Sequence, residues 1–288
     1  MKVLAWPISR KTAACSTQAN QPPLGQSVYL DAYFQRIGYA GPRVADLVTL
    51  NAIIASHVST IPFENLDVLL GRTMSLEPEA LMQKLVHEQR GGYCFEQNGL
   101  LLAVLQTLGF EVVPLSARVR IQRPRDYTPP RTHMFLQVTL KNEPWLVDVG
   151  VGGLSPTAAL RLNVSEQQPT LHEPRRLVRE GNLIFHQALL AGDWHDVCEF
   201  TLEKMPRIDR EVAHWFTATH PESHFRNRLL VARAGANGTR HTVLNTEYSE
   251  RDAQGNAVKK QITSPDELLQ LLDDKFRLSF PLGTQFKF

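Results

Sequence analysis

Cys94 stands in Arg90-Gly91-Gly92-Tyr93-Cys94-Phe95-Glu96-Gln97-Asn98, between a glycine pair and the start of an apolar run of helical period. A thiol placed just before a helix faces unpaired backbone N–H groups and the positive end of the helix dipole, and both favour thiolate. Gly91 and Gly92 let the backbone turn tightly and leave room for a substrate beside the sulfur. Downstream come an imidazole, His133 in Thr132-His133-Met134, and a carboxylate, Asp148 in Val147-Asp148-Val149-Gly150. Together they are the parts of a nucleophilic machine, in which the imidazole takes the thiol proton and the carboxylate orients the imidazole. Asp148 interrupts an apolar segment, where a carboxylate without a partner is expensive to bury. Taken singly, each residue also has a plain alternative: a buried cysteine acting as a small hydrophobe, a structural histidine, a loop-end aspartate.

Elements of two periods must bring the three together. Leu30, Tyr33, Phe34 and Ile37 recur at helical spacing up to Gly38, and Leu47, Leu50, Ile54, His57, Val58 and Ile61 make a second stripe. A third helix begins at Pro78, and a fourth runs from Cys94 to Gly109. The period then becomes two: Leu115 to Ile121 and His133 to Leu140 read as strands around a Pro-rich loop, Gln122 to Arg131. Trp145 to Val149, Leu183 to Leu190 and Val197 to Glu203 add strands, which suggests a small antiparallel barrel. Ile208, Val212, Trp215 and Phe216 fit a helix ending before Pro221; strands follow at Leu229 to Ala234 and His241 to Thr246. Ser264-Pro265-Asp266-Glu267 caps the last helix. If Asn142-Glu143 forms a two-residue turn, Gln137 faces Asp148 and His133 lies four residues farther on the same face. Direct contact then demands a bulge, a strong twist or another register.

Composition bounds the partners. The 288 residues are 43% hydrophobic and 21% charged, as expected of a globular chain of about two domains. The net charge of +2 carries no long same-sign run, so neither nucleic acid nor an anionic membrane is called for. No apolar run approaches the ~20 residues of a membrane span. Cys15, Cys94 and Cys198 are too few for a disulfide framework and form no zinc-type pair, so a reducing cytoplasm and no metal are expected. Residues 1–26 read as a disordered extension. Thr12-Ala13-Ala14-Cys15 loosely matches a lipoprotein cleavage site but lacks the apolar segment before it.

Arg90 to Asn98, Thr132-His133-Met134-Phe135-Leu136, Val147-Asp148-Val149-Gly150 and Ile61-Pro62-Phe63-Glu64-Asn65-Leu66 resemble the arylamine N-acetyltransferases, from about Leu30 towards the C-terminus. The resemblance implies an α+β fold: an N-terminal helical bundle, a central antiparallel β-barrel and a C-terminal α/β lid, around a Cys-His-Asp core like that of cysteine proteases and transglutaminases. The expected divisions are 1–26, 27–112, 113–206 and 207–288. Cys94, His133 and Asp148 take the family's roles of nucleophile, imidazole and orienting carboxylate. Acetyl-CoA is then a co-substrate, with no cofactor bound permanently, and the acceptor is an arylamine, hydrazine or N-hydroxyarylamine. Phe63 and Val151 are candidates for the aromatic and acyl pockets, with plain core packing as the alternative. Glu64 and Arg90 are candidates for a supporting ion pair, against unrelated surface charges.

Three other readings stand beside this one. A protease-like or transglutaminase-like cysteine enzyme shares the trio but not the wider motifs. His220 and His224, four apart, hold zinc only if they lie on one helix face with a third ligand. A non-catalytic binding module gains no covalent acetyl group.

Overall fold

Helical spacing at Leu30, Tyr33, Phe34 and Ile37 becomes α1 (Leu24–Ile37) in the computed structural model, which describes residues 24–288. Gly38, at φ +67°, ends it in a conformation that glycine adopts without strain. The extension expected over residues 1–26, with the Cys15 segment, lies outside the described residues up to residue 23. α2 (Leu47–Thr60) begins where the Asp46 carboxylate accepts the Thr49 N–H at 2.8 Å. A short α3 (Leu66–Leu69) precedes α4 (Pro78–Met82), which starts on its proline and continues as a π-helical turn, Gln83–His87. α5 (Cys94–Thr107) is buried on nearly every side, between the other helices and the strands that follow. That suits a helix with apolar residues around most of its circumference.

Seven antiparallel strands follow: β2 (Glu111–Val119), β3 (His133–Leu140), β4 (Glu143–Val147), β5 (Leu160–Arg161), β6 (Arg175–Glu180), β7 (Leu183–Leu190) and β8 (Asp193–Lys204). With β1 (Phe63–Glu64) earlier in the chain, their order is β5-β4-β3-β2-β8-β7-β6. Gln168 draws the two edge strands together. Its backbone bridges to Arg175 of β6, while its side-chain amide exchanges bonds of 2.7 and 3.1 Å with the backbone of Arg161 in β5. The sheet thereby curls into the expected barrel, nearly closed, with Phe135, Leu146, Leu177, Ile184 and Phe200 filling it.

The last part of the chain holds α6 (Arg207–Thr219), α7 (His224–Asn227), β9 (Leu230–Ala234), β10 (Arg240–Leu244), β11 (Glu247–Arg251), β12 (Ala257–Gln261) and α8 (Pro265–Phe276). Ser264 caps α8 as expected, accepting the Glu267 N–H at 3.1 Å. The apolar face of α8, with Leu268, Leu271, Leu272 and Phe276, packs with Val231, Val243 and Tyr248. β9 also pairs with β1, so the lid sheet runs β1-β9-β10-β11-β12 and borrows its first strand from the helical part of the chain. The periodicity over Ile208, Val212 and Trp215 does mark a helix, yet these three side chains are exposed, and α6 packs through Ala213 and Thr217. Among the described residues no helix is long and apolar enough to cross a membrane.

Candidate active site

Two of the sequence segments meet at the start of α5. A Cβ on Gly91 would fall 2.1 Å from the Pro62 carbonyl oxygen, so only glycine allows this approach. The Gly92 carbonyl accepts the Glu64 N–H at 3.0 Å, which ties the Ile61–Leu66 segment to the turn before Cys94. Glu96 closes the turn from the other side, its carboxylate accepting the Tyr93 N–H at 3.0 Å. Gln97 donates to the carbonyls of Pro62 at 2.8 Å and Gly92 at 3.2 Å. Its amide oxygen meets His57, whose other ring nitrogen bonds the Tyr33 hydroxyl at 2.8 Å. Burial pulls the His57 imidazole down to about 4, so it is neutral at physiological pH.

Glu64 and Arg90 do form an ion pair, at 2.6 Å, and it is buried. The cluster extends further than the sequence suggested. Asp67 contacts Arg90 at 3.2 Å and Lys84 at 2.8 Å, and Lys84 reaches Glu96 at 2.7 Å. Burial disfavours the Lys84 charge, but the surrounding carboxylates outweigh it and hold the ammonium more firmly protonated than usual. Phe280 of the C-terminal segment lies over the Arg90 guanidinium at 4.6 Å.

The Cys94 sulfur is nearly buried and lies 3.6 Å from the Thr132 carbonyl oxygen, next to His133. His133 Nε2–H donates to Asp148 Oδ2 at 2.7 Å, and Cys94 lies near enough to the ring to favour its charged form. The contact arises from a register other than the one the Asn142-Glu143 turn implies. Lys141 and Asn142 are the turn residues, with φ of 51° and 64°, and Leu140 pairs with Glu143. Relative to the expected pairing the strands slide by two residues, so the shared face survives. Extended by one pair past Leu136↔Val147, this register sets Asp148 opposite Phe135, a diagonal neighbour of His133.

Asp148 is fully enclosed and richly bonded. Oδ1 accepts from the Gly150 N–H at 2.9 Å and from the Asn98 amide at 3.0 Å. Burial pushes its carboxyl up, but the charge and hydrogen bond of His133, with those of Gly150 and Asn98, hold it below the ordinary carboxylate range. On His133 burial disfavours the cation, and the Asp148 charge outweighs it, raising the imidazole to about 10. The ring is therefore an imidazolium at neutral pH. Asn98 was missed by the sequence reading as a site residue. It also donates to the Met134 carbonyl at 2.8 Å and accepts the Val149 N–H at 3.0 Å. Its place four residues after Cys94, on one helical face, was the available signal. A Cβ at Gly150 would lie 2.7 Å from Cys94 Cα, so the loop after β4 presses directly against α5.

Cys94 and His133 open into a cavity of about 490 Å³, with Phe63 and Val151 in its wall. His220 and His224, by contrast, share no helix. His220 ends α6, where it stacks on Phe216, and His224 starts α7, bonded to Arg123. No group of three potential metal ligands occurs among the described residues.

Comparison with known proteins agrees with this architecture. Residues 46–284 match the family model described as N-acetyltransferase. An arylamine N-acetyltransferase of Mycolicibacterium smegmatis is 48% identical over 207 residues, 70% of this chain and 75% of the relative. An arylamine N-acetyltransferase / N-hydroxyarylamine O-acetyltransferase of Salmonella typhimurium is 39% identical over 87% of this chain and 89% of its own. The solved arylamine N-acetyltransferase of Mycobacterium marinum in complex with CoA superposes with a TM-score of 0.82 at 38% identity, over 86% of this chain and 92% of that one. With the helices, barrel and lid in the same arrangement and the match running through nearly the whole described chain, this protein belongs to the arylamine N-acetyltransferase family.

Proposed function

We propose that this protein moves an acetyl group from acetyl-CoA to the nitrogen of arylamines, and also of arylhydrazines and N-hydroxyarylamines, through a thioester on Cys94. The observation that carries the reading is the His133–Asp148 bond of 2.7 Å beside a cysteine that opens into a substrate-sized cavity. The sulfur attacks the thioester carbonyl of acetyl-CoA, and a tetrahedral oxyanion forms. Its collapse expels coenzyme A sulfur, which takes the proton held on His133, and leaves acetyl on Cys94. The amine then attacks that thioester. His133, now neutral, accepts the amine proton as the Cys94 sulfur departs, and the starting pair is restored. Asp148 keeps the imidazole in one orientation throughout and stabilises its charge. Donor and acceptor use the same sulfur in turn, so ping-pong kinetics follow.

Phe63 and Val151 contribute apolar walls for the aromatic ring and the acetyl methyl. The Glu64–Arg90 pair supports the turn that carries Cys94. The name of the Salmonella relative supports N-hydroxyarylamines as acceptors, though at oxygen rather than nitrogen, and the CoA complex of the Mycobacterium marinum protein supports the donor. Cys94 and Cys198 are both free, which suits a reducing cytoplasm. Intact mass after acetyl-CoA alone tests the reading. One added acetyl group is expected, lost again when an arylamine is supplied, and Cys94→Ala should take up none. Acetylation retained in Cys94→Ala would remove this sulfur from the reaction.

A further inference from the structure

The lid lines the cavity with an unusual surface. Arg240 pairs with Arg251 across β10 and β11, and Thr242 pairs with Ser249. Alternate residues of a strand share a face, and all four line the same cavity as Cys94. Behind them Glu173 is the ion-pair partner of three guanidinium groups: Arg240 at 2.7 Å, Arg175 at 2.9 Å, and Arg251. The neighbouring imidazoles add no negative charge. Burial holds His186 at about 3 and His172 at about 4, so both are neutral. One carboxylate thus faces three cations, of which Arg175 and Arg240 are 0% and 2% exposed. Arg175 Nε has no hydrogen-bond partner among the described residues. A buried guanidinium in excess of its counter-charges is expensive to maintain, and a matching anion relieves it.

We infer that this face of the lid is an anion subsite, in which Arg240 and Arg251, with the hydroxyls of Thr242 and Ser249, receive a carboxylate carried by the acceptor amine. The inference rests on the acetyl-transfer reading above. Size assigns the site to the acceptor. The cavity of about 490 Å³ takes a small aromatic acid, whereas coenzyme A is far larger and must leave its phosphates outside. Half-buried Arg123 and exposed Arg228, which also line the cavity, are the cations such a donor meets first. Planar guanidinium groups flanked by hydroxyls suit a carboxylate bound edge-on.

Paired acceptors of nearly equal shape test this: 4-aminobenzoate and 4-aminobenzamide, with kcat/KM measured for each in the wild type and in R251Q. The wild type should favour the acid about tenfold or more, and the ratio of the two rates should fall by about that factor in R251Q. Benzoate should inhibit the wild type in competition with the amine while benzamide does not, a measurement independent of any variant's folding. Equal rates for acid and amide, a preference that survives R251Q, or benzoate without effect would each overturn the subsite. A rise in the KM for acetyl-CoA, equal with both acceptors, would move the arginines to the donor's phosphates and overturn it too. If Cys94 takes up acetyl but neither amine removes it, the acetyl-transfer reading itself fails and the subsite falls with it.

Discussion

Asp148 decides the charge of the imidazole beside Cys94. Burial alone would drive His133 towards the neutral form, and the carboxylate 2.7 Å away is the main cause that reverses this. In Asp148→Asn the opposing charge disappears, so the imidazole should become neutral in the physiological range. The ring-proton NMR signals of His133 should report the difference: a charged ring throughout about pH 6–8 in the wild type, a neutral one in the variant. Acetyl transfer should fall by about 10²–10⁴. A ring that stays charged over this range in Asp148→Asn would disconnect the carboxylate from the imidazole's charge. The types of these three residues were legible in the sequence, and their separation was not. Register depended on whether Lys141 or Asn142 opens the turn, and a lysine at positive φ is not what turn chemistry leads one to expect. Because side chains alternate with period two, the two-residue error preserved the face and changed only the distance.

At the level of elements, the start of α5 is held by charges drawn from several stretches of chain. Glu64 lies in β1, Asp67 in α3, Lys84 in the π-helical turn, and Glu96 in α5 itself. Arg90 joins the first two, and no solvent is at hand to replace it, since Glu64 is fully buried. Arg90→Met should therefore destabilise the fold by about 3–5 kcal/mol, because two carboxylates lose a partner they share. Urea denaturation measures this directly; a loss under about 1 kcal/mol would show that the cluster relaxes around the gap. The sequence made Glu64 and Arg90 candidates but could not show Asp67 and Lys84 as their neighbours. Helices were legible because their apolar spacing is local. β1 was not, since two residues carry no period and its partner, β9, lies far along the chain.

For the whole molecule, buried imidazoles set the response to acid. His57 and His186 are fully enclosed and held at about 4 and about 3, against 6.5 in an unfolded chain. Below about pH 6.5 the unfolded chain therefore binds two protons that the fold refuses, and stability drops as pH falls. Each group contributes a slope of at most about 1.4 kcal/mol per pH unit, which ends as pH passes its folded value. The lowered carboxyls of Asp148 and Glu173 act in the same direction at still lower pH, since their stabilising charge is lost as they protonate. His133 works the opposite way. Raised to about 10, it contributes fully below pH 6.5 and loses that contribution as pH rises through about 10. The urea midpoint should accordingly be highest near neutral pH and fall between about pH 6.5 and 4. In His57→Gln the acid slope should lose about one proton's worth, while the alkaline limb, which belongs to His133, stays in place. A wild-type midpoint unchanged from pH 7 to 5 would mean that these imidazoles reach water in the folded protein.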